Sequence, residues 1–324
     1  MKISRLLLAC LIAFTGSAAL AAKFNLKMGH AVNTTDGQHA AAVKMAELVK
    51  QRTNGDVEIA IFPANQLGND GAMINFVRGG TIDIVSSGAS NYNGIVSNTA
   101  ALELPFVFRS AQHAYNVLDG AVGTSILNEF NAHGMKGLAY WENGWRAFTN
   151  NKRPILKPED AKGLKIRSTG NPYHIQAFKL LGMNPSPMAI AELYNALESG
   201  AFDAQEHPIN VTWSSKFYEV QKFLTVSNHV YSPLIVAMNK AKFDSLPANY
   251  QKILLDSAHE AAKYQRDLNA QNAGKVVAEL KKSGMQVAEN VDMAAFQKIV
   301  SAEIAKSFGE KNGTALLKAI EDTK

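Results

Sequence analysis

Lys162-Gly163-Leu164-Lys165-Ile166-Arg167-Ser168-Thr169-Gly170-Asn171-Pro172 reads as a short strand, a polar turn and a helix entry. Leu164 to Arg167 alternates apolar and polar side chains, the period of a strand with one buried face. Pro172 fits the first position of a helix, where its missing N–H is no loss. A strand that turns directly into a helix is the repeating step of an α/β domain. In open α/β sheets, ligands bind in the crevice beyond the carboxyl ends of the strands, so Arg167 is placed to meet an anion. Its planar fork can hold a carboxylate through two charge-assisted bonds. The competing reading is a surface arginine paired with a neighbouring acid.

The same step recurs toward the amino terminus. Phe24 to Gly29 alternates like a strand, Gly37 to Thr53 carries Ala41, Met45, Leu48 and Val49 on one helical side, and Val57 to Phe62 resumes the two-residue period. A helix over Gly71–Arg78, a strand over Ile82–Val85, a helix over Ala111–Phe130 and a strand over Gly137–Tyr140 continue the pattern. The expected class is α/β with a largely parallel sheet, the first unit running to about Gly144. Beyond Pro172, a helix over Ala189–Glu198 precedes a short strand over Phe202–Ala204, and Gln221–Asn239 divides into two strands at Pro233. A helix from about Pro247 to Lys282 would extend roughly 50 Å at 1.5 Å per residue and brace both units. The expected division is residues 22–144 plus 233–272 in one domain and 145–232 plus 273–324 in the other.

The first 21 residues stand apart. Met1-Lys2-Ile3-Ser4-Arg5 leads into the apolar run Leu6–Phe14, and Ala19-Leu20-Ala21 supplies small residues at a cleavage site. These are the parts of a secretory signal cut after Ala21; the apolar core is too short to span a membrane. An alternative takes Leu7-Leu8-Ala9-Cys10 as a lipid-attachment signal, though it leaves almost no apolar core before Cys10. Cleavage discards Cys10, the only cysteine, and with it disulfide, thiolate and cysteine-metal chemistry. Residues 22–324 keep 31 basic and 28 acidic side chains, a mild and scattered excess that does not form the focused patch expected of a nucleic-acid binder.

Four further clusters are candidate site residues. Trp141-Glu142-Asn143-Gly144-Trp145-Arg146 gathers two indoles, an acid, an amide and a guanidinium at the proposed domain junction, a mixture suited to a polar organic ligand or to domain packing with Trp145 on Arg146. Asp203, Gln205, Glu206 and His207 follow the Phe202–Ala204 strand and could fix ligand hydroxyls or join the domains. Asn33, Asp36, Gln38 and His39 follow the first strand. Ser86, Ser87, Ser90 and Asn91 follow the third, with Tyr92 beside them; all could line the first domain's half of a cleft or cap helices and loops. No zinc-protease, nucleophile-elbow, Walker or dinucleotide fingerprint occurs. A non-catalytic binder therefore reads better than a secreted hydrolase or lyase using Glu142, Glu206 and Asp203 as a carboxylate pair on a glycoside.

The chain resembles the substrate-binding proteins of tripartite ATP-independent periplasmic (TRAP) transporters, the DctP family. The likeness runs through Phe62-Pro63-Ala64-Asn65-Gln66-Leu67-Gly68, Leu104-Pro105-Phe106-Val107-Phe108, Lys162–Arg167, and Glu192–Gly200 continuing into Asp203-Ala204-Gln205-Glu206. It implies an α/β, two-domain periplasmic-binding-protein fold of type II-like form, with hinge crossovers and a long helix common to both domains. It also implies that Arg167 binds the ligand, that Arg146 is a second ligand or hinge contact, and that no cofactor or metal is needed. Many members carry Gln-Glu-Asn-Pro where this chain has Gln205-Glu206-His207-Pro208. Tyr140–Arg146 together with Ala204–Asn210 looks like the sugar-acid branch, which includes binders of diketogulonate, glucuronate and galacturonate. The expected ligand is a hexuronate, D-glucuronate or D-galacturonate, with 2,3-diketogulonate or a C4-dicarboxylate as alternatives. The expected ligand set is Arg167, Arg146, His207, Glu206, Asn171, Trp145, Asn33, His39, Ser87, Ser90 and Tyr92. The resemblance further implies a periplasmic, monomeric receptor serving a TRAP permease of small and large membrane subunits.

Overall fold

The computed structural model describes residues 22–324; the proposed signal peptide and Cys10 lie outside the described residues. Strands β1 (Phe24–Gly29) and β2 (Val57–Phe62) flank helix α1 (Gly37–Arg52), and α2 (Asp70–Gly79) leads to β3 (Ile84–Gly88). Asp36 and Asn69 cap α1 and α2 by accepting from Gln38 N and Ala72 N, which satisfies first-turn donors that the helices leave open. Strand β3 begins two residues later than the apolar pattern predicts, because Ile84 to Gly88 is the segment that pairs with another strand.

The predicted single helix over Ala111–Phe130 is two helices, α3 (Ala111–Asp119) and α4 (Ala121–Glu129), separated at Gly120. Packing explains the break. A Cβ on Gly120 would lie 2.5 Å from the Asn116 carbonyl oxygen and one on Gly123 1.9 Å from that of Leu118, so the chain turns back on itself more tightly than a side chain permits.

Strand β4 (Met135–Asn150) is the largest departure from expectation: it is one 16-residue strand running through the proposed boundary at Gly144. Register shifts at Gly137/Ala139 and Glu142/Gly144 bend it, and Gly144 takes φ of 119°, a conformation that favours glycine. Its first half pairs antiparallel with β9 (Tyr231–Asn239). Its second half pairs antiparallel with β7 (Ala204–Pro208) and β8 (Phe223–Thr225). Strands β5 (Lys165–Ser168) and β6 (Asn184–Pro187) complete the path β2-β1-β3-β9-β4-β7-β5-β6, and β10 (Gln286–Ala288) pairs with β8. The β1/β2, β1/β3, β5/β6, β5/β7 and β8/β10 pairs are parallel, whereas β3/β9 and every β4 pair are antiparallel. The sheet is therefore mixed. The antiparallel exceptions are β4, the strand that crosses from one α/β unit into the other, and β9, which lies between β3 and the first part of β4; each runs opposite to its neighbours.

Helix α5 (Pro172–Leu180) follows β5, and α6 (Ile190–Glu198) and α7 (Ile209–Ser214) flank β7. After α8 (Lys240–Asp244) comes α9 (Ala248–Lys282), followed by α10 (Met293–Asn312) and α11 (Ala315–Asp322). Helix α9 has 35 residues. Its Leu254, Ala258, Ala261 and Ala262 join the core around β1, α1 and β9, while Leu280 joins Ala147, Leu224 and Met285 at the other end. Between these anchorages Gln265 reads the β4 backbone in both directions: its Oε1 accepts from Glu142 N and its Nε2 donates to Glu142 O, each at 2.9 Å. The helix thus holds the crossing strand as well as both cores.

Candidate ligand-binding site

A cavity of about 380 Å³ opens where the carboxyl ends of β3 and β5 face one another. The wall from the first unit includes Gln38, Asn69, Asp70, Ser87, Ser90 and Asn91; the opposite wall includes Arg167, Thr169, Met188 and His207, with Asn143 and Arg146 on β4 and Ser232 on β9. Strand ends supply these groups because there the backbone has left the ladder and side chains are free to face a crevice.

Arg167 is 4% exposed. Its Nε and Nη2 donate to the Met188 carbonyl at 2.8 and 2.6 Å, and its Nη1 lies 3.5 Å from His207 Nε2. Among the described residues it forms no ion pair within 4.0 Å. Burial, and next the Arg146 charge, lower its pKa to about 10, so the side chain remains cationic at neutral pH but gains from any anion brought to it.

Arg146, by contrast, is neutralised. It is 2% exposed and forms a fork-to-fork pair with Glu206, which is fully buried: Nε donates to Oε2, and Nη2 donates to Oε1 at 2.7 Å and to the Glu206 carbonyl at 2.6 Å. Burial alone would raise the Glu206 carboxyl, but the Arg146 charge and hydrogen bonds hold it well below the usual carboxylate range. Arg146 reaches the cavity edge, whereas Glu206 stands behind it.

His207 lines the cavity, and burial, followed by the charges of Arg146 and Arg167, holds its imidazole well below its ordinary pKa and hence neutral at pH 7. The polar run read as the sequel to a strand is itself strand β7, so alternation divides it: Gln205 and His207 share one face and Glu206 takes the other. Ser87 and Ser90 also line the cavity, and Ser90 Oγ donates to the buried Glu103 carboxylate.

The remaining sequence candidates lie outside the cavity lining. Tyr92 is buried in the core and its hydroxyl donates to Ile235 O at 3.3 Å. Asn171 caps α5 through Tyr173 N. Asn33 is exposed and its Nδ2 donates to Ser214 O at 2.8 Å, joining the first unit to α7. His39 pairs with buried His30, Nδ1 to Nε2, at 3.1 Å. Trp145 packs edge-on against Tyr231 and borders a separate cavity between β4, α7 and α9.

Asp70 is the main lining residue that the sequence reading did not single out. It occupies the first position of α2, and its Oδ1 accepts from Ser87 Oγ at 2.6 Å. Desolvation by the cavity walls raises its carboxyl pKa. The helix expected over Gly71–Arg78 begins one residue earlier, at Asp70, and an acid directly ahead of that helix was the only signal the sequence offered. Met188 contributes a backbone carbonyl, for which no side-chain pattern exists.

A buried, unneutralised arginine facing hydroxyls, amides and one acid can hold an anion that carries several polar groups. Residues 28–311 match the family model described as bacterial extracellular solute-binding protein, family 7, DctP. The chain belongs to the DctP family. It is 46% identical over 319 residues to the 2,3-diketo-L-gulonate-binding periplasmic protein YiaO of Escherichia coli, covering 98% of this chain and 97% of the relative. A TRAP periplasmic solute-binding protein from Polaromonas bound to D-erythronate superposes with a TM-score of 0.90 at 36% identity, over 93% of this chain and 99% of that one. Another from Bradyrhizobium, in complex with galacturonate, gives 0.88 at 29% identity over 92% and 100%. This DctP-family chain therefore has the mixed α/β, two-domain architecture of those TRAP binding proteins. The family and its structural neighbours are transport-associated binding proteins rather than enzymes. Among the described residues no helix is long and apolar enough to cross a membrane.

Proposed function

We propose that this chain is a periplasmic TRAP receptor that binds one six-carbon sugar acid in the Arg167 cavity and delivers it to a membrane permease. The observation that carries the reading is the buried Arg167 guanidinium, open to a polar cavity and without an acid at ion-pair distance among the described residues. A buried cation without a counter-charge is costly, and a ligand carboxylate removes that cost, so binding and closure around the ligand reinforce one another. In this reading Arg167 holds the carboxylate, Ser87, Ser90 and His207 meet polar groups, and Arg146 shapes the wall while held by Glu206. Asn33, His39, Asn171, Trp145 and Tyr92 support the walls from behind or at the hinge. The two domains divide near Gly144 and again along β9 and α9, so closure bends the crossing elements rather than the walls.

D-Glucuronate or D-galacturonate is the ligand favoured by the sequence reading, and the Bradyrhizobium neighbour supports it. The 46% identity to the E. coli relative across nearly the whole of both chains favours 2,3-diketo-L-gulonate as the second reading. Calorimetry with these three acids, succinate and sialate separates the classes; tight binding of succinate or sialate alone would sink the sugar-acid reading. Delivery is tested by reconstituting the cognate permease, with its small and large membrane subunits, in liposomes under a sodium gradient without ATP. Labelled acid should enter with native receptor and fail to enter with Arg167→Ala. Uptake that ignores the receptor, or requires ATP, would overturn the transport mechanism.

A further inference from the structure

Behind His207 runs a chain of buried amides and hydroxyls whose direction is fixed at its far end. Gln221 Nε2 donates to the Val220 carbonyl at 3.0 Å, and a carbonyl can only accept. Gln221 must therefore present Oε1 to Thr149, whose Oγ1 donates to it at 2.9 Å. With its proton committed, Thr149 Oγ1 accepts at its other side, and Gln205 Nε2 donates to it at 2.8 Å. That orientation turns Gln205 Oε1 toward His207 Nδ1, 2.5 Å away. An amide oxygen accepts only, so Nδ1 carries the imidazole proton and Nε2 carries a lone pair. Every amide orientation is determined by its neighbour, and the series starts from a group that cannot reverse.

The strand register builds this chain. Thr149 of β4 stands opposite Gln205 of β7, and Gln205 and His207 share a face by the two-residue period. Thr149, Gln205, His207 and Gln221 are all at most 4% exposed, so water does not compete for the bonds. His207 Nε2 lies at the cavity wall, 3.5 Å from Arg167 Nη1.

We infer that the Val220–Gln221–Thr149–Gln205 chain locks His207 as an Nδ1–H tautomer whose Nε2 accepts at the ligand cavity, making His207 a reader of a ligand hydroxyl beside the Arg167-bound carboxylate. The inference rests on the sugar-acid reading and narrows it to hydroxy acids that place an O–H donor there. The same lone pair faces Arg167 Nη1 at 3.5 Å, which sets it beside the group proposed to hold the carboxylate. A carboxylate or ketone oxygen in that place would oppose two acceptors, so the ring tells a hydroxyl from an oxo group without changing charge.

Two measurements test it on the full mature chain. Nitrogen-15 NMR of ligand-free protein at pH 7.5 should show His207, assigned by its loss in His207→Phe, with Nδ1 protonated and Nε2 bare. An Nε2–H tautomer or a rapidly exchanging mixture would overturn the assignment, whatever the protein binds. Thr149→Val, which removes the directional hydroxyl at nearly constant shape, should turn the signal into a mixture while the far-ultraviolet circular dichroism stays native. If that variant does not fold, Gln205→Glu supplies the second test: it keeps an acceptor against Nδ1 and should preserve the native tautomer.

The second measurement is calorimetry with D-glucuronate, D-galacturonate, 2,3-diketo-L-gulonate and singly deoxygenated analogues of the tightest binder. One deoxy position should weaken native binding at least about tenfold and cost less than about threefold in His207→Phe. Equal losses in both proteins would overturn hydroxyl reading by His207. Absence of binding to all three parent acids would overturn the sugar-acid reading and the hydroxyl-reading role with it, leaving the tautomer to stand or fall on the NMR result.

Discussion

Arg167 and Arg146 are both buried arginines at one cavity, yet their substitution should have opposite consequences. Arg167 has a ligand to lose and no protein acid to abandon, so Arg167→Ala should weaken sugar-acid binding by about 2 to 5 kcal/mol, roughly thirtyfold to several thousandfold, with little loss of thermal stability. Binding calorimetry and a melting curve on the same sample check both parts; a large fall in melting temperature with unchanged affinity would reverse the assignment. Glu206→Ala should instead destabilise the fold by about 3 to 5 kcal/mol, because it leaves Arg146 buried without its counter-charge. Urea unfolding measures it, and a cost below about 1 kcal/mol would show that Arg146 finds another partner. At this scale the sequence named the right neighbourhood for the cleft but not each residue's side of it. Gln205, Glu206 and His207 look like one polar cluster when written in order, and only strand pairing shows that Glu206 turns to Arg146 while His207 turns to the cavity.

Elements are shaped by close approach as much as by apolar period. Ala111–Phe130 has the composition of one helix, but the α3/α4 turn depends on Gly123, where a methyl group would lie 1.9 Å from the Leu118 carbonyl oxygen. Gly123→Ala should therefore destabilise the protein by more than about 2 kcal/mol even though alanine is the better helix former, and it should leave the ligand affinity of the folded fraction unchanged. Thermal unfolding decides it; a neutral or stabilising effect would mean that the turn relaxes freely. Strand β4 makes the related point. The sequence placed a strand at Gly137–Tyr140 and a junction at Gly144, because glycine and mixed polar side chains interrupt the alternation. In the fold that interruption is a pair of bulges within one strand, and the bend at Gly144 carries the chain from one α/β unit into the other.

Across the whole molecule, buried imidazoles and the Glu206 carboxylate share one sign of pH dependence. Burial, followed by the neighbouring His39, lowers the His30 pKa to about 4, below its unfolded value of about 6.5. The unfolded chain thus binds more protons than the folded chain between these values, and stability falls as pH drops through that window. At pH 5 His30 alone should cost about 2 kcal/mol relative to pH 7.5. His174, His207 and His229 are also lowered by burial and act in the same direction. Glu206, held below its unfolded pKa, adds stability above the unfolded value that is lost as acid protonates it in the folded state. Melting temperature should therefore decline steadily from pH 7.5 to 4.5, and His30→Gln should flatten the upper part of that decline; a flat native profile would contradict buried neutral imidazoles.

The sequence by itself determined the alternation of strands and helices, the position of Arg167 at the end of a strand, the length of α9 and the family likeness, because each is written in local period, turn chemistry or contiguous motifs. Tertiary structure decided which arginine is free. Charge neutralisation depends on Arg146 meeting Glu206 from 60 positions away, a partner that no local pattern names. It also decided the proton on His207, since that follows from a chain of contacts running through β4, β7 and Gln221. Hydrogen-bond direction is a property of neighbours in space, and the chain brings those neighbours together only when the crossing strand is bent and paired.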